Sequence, residues 1–149
     1  MGLLALLATV AVKPARTKAA QDVRLSPAAI RRSRLNHFAD IMENYSGPLL
    51  LMSRIELATK AQRARMRLPN SPLAVAYADP TFKALGLADD RFGTGRVFLG
   101  LTPREAHELV CDCHYFGPIN GHMVAHRARW MADHPSLLKR INLFFARFV

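Results

Sequence analysis

Apolar residues recur every three or four positions along most of this chain and almost never alternate with polar ones, which is the period of helices rather than of sheet strands. Caps followed by proline punctuate that pattern. Ser26-Pro27 opens a helix through about Tyr45, with Leu35, Phe38, Met42 and Tyr45 on one face and Arg31, Arg32 and Arg34 mostly off it; Gly47-Pro48 stops it. Ser71-Pro72 opens a short alanine-rich helix over Leu73 to Ala78, and Asp79-Pro80 opens a further turn or two that Gly86 closes. Thr102-Pro103-Arg104-Glu105 reads as a capping box, behind which Ala106, Leu109, Val110 and Cys113 form one buried stripe until Gly117-Pro118 ends the helix. Asn120 caps a helix to Met131 with Met123, Arg127, Trp130 and Met131 near one face. Pro135 begins a last helix whose Leu137, Leu138, Ile141, Phe144, Phe145 and Phe148 make a wide apolar stripe, either docked core or a partner-binding face.

Two stretches are read differently. Leu49 to Leu68 is a short buried strand if Leu49-Leu50-Leu51-Met52 decides, and a helix if Glu56, Lys60 and the following alanines do. Ala88 to Gly95, with Asp89-Asp90 and two glycines, reads as a loop. The whole predicts an all-α or mainly α fold: one compact domain over 26–149 of about five to seven short helices, preceded by a basic and apolar arm over 1–25.

Composition adds partners to that outline. Lys+Arg total 21 against Asp+Glu 11, a formal net charge of +10 in 149 residues, so the surface attracts a polyanion or an acidic protein, nucleic acid included. No run reaches the roughly 18 apolar residues of a membrane span. Gly2 to Val12 has signal-peptide length, but its positive charges, Lys13, Arg16 and Lys18, follow it instead of preceding it, and a cytoplasmic location is expected; an organellar or basic-arm reading of the stretch stays open. The Arg-rich pieces supply the predicted contacts: Arg31, Arg32 and Arg34 on the first helix, and Lys60, Arg63, Arg65 and Arg67 on the next basic segment.

Candidate chemistry gathers between His107 and His134, where five of six histidines and both cysteines fall. On one continuous helix His107, Cys111 and His114 share a face at i, i+4 and i+7, and His122 and His126 could add ligands from the next helix, so a divalent metal such as zinc is the one cofactor in view. On that same helix Cys111 and Cys113 would diverge by about 200° and could not serve one ion together. A nucleophilic cysteine lacks a third, orienting group, and Gly93-Thr94-Gly95-Arg96 lacks the lysine of a phosphate loop. Val97 to Val110 has the turn glycine and second helix of a helix-turn-helix, yet its first helix would have to contain Gly93 and Gly95.

Leu35 with Ala39-Asp40 and Glu43, Asp79-Pro80 with Phe82 and Leu85-Gly86-Leu87, and Phe98 to Leu109 follow one another in an order that resembles a group of small, uncharacterised bacterial and phage-type proteins. That group carries an F-x-G-L-[ST]-x-x-[ED]-A-x-x-L motif and a C-G-x-x-x-C-A-x-G segment. Here Leu68 and Leu73 stand where its cysteines would lie and Ala76 replaces its glycine, which suggests that both positions face a core. The resemblance covers about half the chain and implies a compact helical domain, without a mechanism. The resulting expectation is a small, basic, non-enzymatic helical interaction protein. Its alternatives are a His/Cys metal-binding protein and a helix-turn-helix-like DNA-binding protein.

Overall fold

In a computed structural model the described residues are 25–134, and among them the chain forms seven α-helices and no strand longer than a single bridge. The mainly helical expectation holds. The N-terminal arm and the apolar stripe after Pro135 lie outside the described residues.

The framework is a pair of antiparallel helices, α1 (Pro27–Glu43) and α7 (Gly121–Asp133), which make the most extensive helix–helix contact. The Ser26 hydroxyl accepts the Ala29 amide at 3.3 Å, and Asn120 Oδ1 accepts the Met123 amide at 3.1 Å, so both starts are capped as their sequences predict. Leu35, Phe38, Ala39 and Met42 of α1 pack on Val124, Ala125, Ala128 and Met131 of α7 in one continuous core. Gly121 makes this approach possible, because a Cβ there would lie 1.9 Å from the Met42 carbonyl oxygen. α1 ends at Glu43, so Tyr45 falls just beyond the helix.

Between these two helices run α2 (Lys60–Arg65), α3 (Pro72–Ala78), α4 (Pro80–Ala84), α5 (Phe92–Phe98) and α6 (Pro103–Val110). Ser71 and Asp79 cap α3 and α4 through the Ala74 and Phe82 amides. α2 starts on a Thr59–Gln62 capping box, a signal readable in the sequence that settles residues 60–65 as helix. The stretch before it is neither of the predicted alternatives: Met52 is extended and makes one parallel bridge to Cys111, and Ile55–Leu57 is a 3₁₀ turn. Leu73 is buried and Leu68 packs partly buried on the core, in keeping with leucine at those positions.

The predicted loop at Ala88 to Gly95 is corrected, since α5 includes both Gly93 and Gly95. Their cost in helix propensity is offset by close packing. A Cβ on Gly93 would meet the Ala64 carbonyl oxygen at 2.8 Å, and one on Gly95 would meet the Leu73 side chain at 2.6 Å. Gly100, at φ +66°, then closes α5: its amide bonds the Val97 carbonyl at 3.0 Å while the Leu101 amide bonds that of Arg96 at 2.9 Å.

Candidate metal centre

The chemistry of the site begins with how α6 is held at its two ends. At its start the capping box forms as predicted, with the Glu105 amide donating to Thr102 Oγ1 at 3.2 Å and the Thr102 amide to Glu105 Oε2 at 2.7 Å. The other Glu105 oxygen accepts Arg31 Nη2 at 3.0 Å, and Arg31 Nη1 donates to the Met131 carbonyl at 2.7 Å. This corrects the placement of Arg31, which is 4% exposed and ties α1, α6 and α7 together inside the protein. Burial holds its guanidinium pKa below the ordinary value even though Glu105 favours the charged form.

At its other end α6 stops after Val110, three residues short of the predicted stripe. The last four carbonyls of a helix need partners from outside it, and here distant groups provide three of them. Val110 receives the Met52 amide at 2.9 Å, Leu109 the Tyr115 hydroxyl at 2.7 Å, and Glu108 Arg127 Nη1 at 2.8 Å. Arg127 also donates to the His114 carbonyl at 2.6 Å and lies 4.3 Å from the Tyr115 ring centroid. Released from the helix, Cys111 turns extended, and a 3₁₀ turn over Asp112–His114 folds the chain back across His107.

That fold-back reverses the expected roles of the cysteines. Cys113 is exposed and Cys111 is fully buried. Their sulfurs do not diverge as on a helix but lie 3.1 Å apart. Cys113 Sγ is 3.9 Å from His107 Nε2, and a Glu56 carboxylate oxygen is 3.5 Å from the same nitrogen. The opposite ring nitrogen, Nδ1, sits 2.9 Å from His114 Nε2. Donor atoms of Glu56, His107 and Cys111 lie within 4.8 Å of one another, as do those of His107, Cys113 and His114. Three separate pieces of chain therefore converge on one imidazole.

These separations can be judged against a metal. Tetrahedral zinc, with bonds of about 2.3 Å to sulfur and roughly 2.0–2.2 Å to nitrogen or oxygen, sets edges of about 3.8 Å between sulfurs, about 3.6 Å from sulfur to nitrogen and about 3.4 Å from nitrogen to oxygen. The distances of 3.1, 3.9 and 3.5 Å agree with these to within about 0.7 Å. Glu56, His107 and Cys111 form one three-donor group, Cys113 adds a sulfur beside both Cys111 and His107, and His114 meets the other ring nitrogen as outer-sphere partners do. His107 also lies in the last turn of α6, where the negative end of the helix dipole favours a cation.

Protonation sets the cost of the same arrangement. Burial, together with the hydrogen bond to Cys113, pushes the Cys111 thiol up to about 12, so metal binding there must release a proton. Burial and then the charges of His107 and Arg127 lower the His114 pKa, which favours its neutral form. Of the predicted donors, Cys111 and His114 each lie beside His107 but in separate groups, and only His107 is on the helix. His122 and His126 do not join them; both are exposed on α7, and His122 faces Glu43 at 3.8 Å. The sequence does not single out Glu56 and Cys113 as donors, because their approach to His107 depends on the Met52–Cys111 bridge, which local spacing does not reveal.

The predicted cationic set is largely taken up by the fold. Arg34 donates to the Phe98 carbonyl at 2.8 Å with its guanidinium over the Phe98 ring, Arg63 to the Ala58 carbonyl at 3.1 Å, and Arg67 pairs with Asp90 at 2.8 Å. Arg32 pairs with Asp133 at 2.9 Å on the surface, and Lys60 and Arg65 are exposed on α2. α5, the Gly100 turn and α6 do follow one another as helix, turn and helix, so the glycines do not prevent a first helix. The second helix, however, buries Glu105, Ala106, Leu109 and Val110, and its exposed Arg104 pairs with Glu108 at 2.8 Å. Comparison with protein-family models, with curated proteins and with solved structures finds no match.

Proposed function

We propose that the chain is a metal-binding protein, with the corner built from His107, Cys111, Cys113 and Glu56 holding a thiolate-seeking divalent ion of the zinc class. The observation that carries this reading is that Glu56 and Cys111 form one three-donor group with His107, while Cys113 Sγ lies 3.9 Å from His107 Nε2 and 3.1 Å from Cys111 Sγ. It ranks above polyanion binding because the imidazole and thiols are turned toward one another, whereas Arg31, Arg34 and Arg63 are engaged within the fold and exposed Arg67 is paired with Asp90.

Equilibrium dialysis against zinc, followed by metal analysis, tests it. The full chain should retain one ion per chain, Cys111→Ser and Cys113→Ser should lose it, and His122→Ala with His126→Ala should leave it unchanged. Retention that is indifferent to both cysteines would overturn the assignment.

A second reading is supported by the net charge of +10 and by the exposure of Lys60 and Arg65 on α2: binding to a phosphate backbone or an acidic protein. Neutralising both residues should then weaken binding to duplex DNA and lower the slope of log K against log salt by about 0.9 for each phosphate that is no longer neutralised. An unchanged slope would reject it.

A further inference from the structure

Each of the two cysteines has a property that metal binding does not require. Cys113 is exposed on a short 3₁₀ turn, while Cys111 is fully buried and held on both sides by backbone bonds, its own amide to the His107 carbonyl at 2.9 Å and the Asp112 amide to that of Met52 at 3.0 Å. Reagents in solution can therefore reach one sulfur and not the other. The second sulfur waits 3.1 Å behind the first.

We propose that Cys113 and Cys111 form a thiol–disulfide exchange site for a small-molecule disulfide of the glutathione type, with Cys113 the entry thiol and Cys111 the resolving thiol. In the first step Cys113, as thiolate, attacks one sulfur of the reagent. The reagent's S–S bond breaks, a mixed disulfide forms at Cys113, and one small thiolate leaves and takes up a proton. In the second step Cys111 gives up its proton and attacks Cys113 Sγ; the mixed disulfide breaks and the second small thiol leaves. Two electrons pass from the cysteine pair to the reagent, which departs as two thiols, and Cys111 and Cys113 are left joined.

The consequence for the ion rests on the metal reading above. Closing the pair converts two thiolate ligands into one disulfide, and only His107 and Glu56 of the four donors remain. Oxidation therefore expels zinc, and reduction by an excess of small thiol restores the site.

The test incubates the full chain, zinc-loaded and metal-free, with oxidised glutathione, and follows intact mass together with zinc release to a chromogenic chelator. The native chain should lose two hydrogen masses, and the loaded form should free one zinc for each pair closed. Cys111→Ser should stop at the mixed disulfide, carrying one glutathionyl group on Cys113. Cys113→Ser should not react, since the remaining thiol is buried. The proposal is overturned if the native chain accumulates a stable mixed disulfide without closing, or if Cys113→Ser reacts as fast as the native chain. The two readings fail separately. A chain that never binds zinc but closes its disulfide when metal-free loses the metal reading and keeps the exchange site, whereas a chain that keeps both zinc and free thiols under the oxidant loses the exchange site alone.

Discussion

Glu105 and His107 stand two residues apart on α6, and the fold treats them in opposite ways. Around Glu105 the polar groups are tied into the framework: one carboxylate oxygen caps the helix, the other pairs with Arg31, and Arg31 reaches on to Met131, with only its Nε left without a hydrogen bond. Around His107 the polar groups mostly face one another, as imidazole to imidazole, thiol to thiol and carboxylate to imidazole. The first arrangement closes a framework in which both Glu105 oxygens are engaged. The second gathers soft donors on a partly exposed corner, which contributes little to stability until something binds it.

The comparison is broken most severely at Arg31. Arg31→Met leaves Glu105 as a buried charge without its guanidinium, and should destabilise by about 3–5 kcal/mol in urea unfolding. Replacing both partners by apolar residues should recover much of that loss. A cost below about 1 kcal/mol for the single change would mean that the junction is solvated like a surface pair. Next in size, Leu109→Ala should cost about 2–5 kcal/mol, because Leu109 is fully buried in the core. Unchanged thermal stability would remove Leu109 from the core.

Smaller changes sharpen the contrast. Thr102→Ala should cost about 1 kcal/mol and Pro103→Ala close to nothing, since only Thr102 supplies an acceptor to an otherwise unpaired amide. Cys113→Ser should change the stability of the metal-free chain by no more than about 0.5 kcal/mol, because its side chain is exposed, yet abolish zinc-dependent stabilisation. A large loss without metal would place Cys113 in the framework instead. The smallest effect is an acid one, remote from both regions. Burial opposes ionisation of Asp79, but the Phe82 amide and His37 outweigh it and leave its pKa below the ordinary carboxylate value. That stabilisation is complete above the unfolded-state pKa and is lost as pH falls through the lower folded value, so it should fade below about pH 4 and be absent in Asp79→Ala.

What can be read from the chain follows the same division. Caps are local, so Ser26, Ser71, Asp79, Thr102 and Asn120 mark their helices correctly, and Thr59 with Gln62 carries the same signal. α5 is not legible in this way, because its two glycines are accounted for only by Ala64 and Leu73, which belong to other helices. Arg31 reads as surface charge because Glu105 is 74 residues away. The candidate corner around His107 is half legible. Its histidines and cysteines stand out by type, but their geometry depends on where α6 ends, and that is set by Met52, Tyr115 and Arg127 taking its final carbonyls.

Cobalt(II) in place of zinc tests the central claim most directly, because its spectrum reports both ligand type and coordination number. Titrated into the full chain under reducing conditions, cobalt should give thiolate-to-metal charge-transfer absorption in the near ultraviolet and intense tetrahedral bands in the visible. Both should be absent in Cys111→Ser and in Cys113→Ser and displaced by zinc. A weak octahedral spectrum without charge transfer, or a tetrahedral one that survives both cysteine changes, would contradict the assignment of this corner as a metal site.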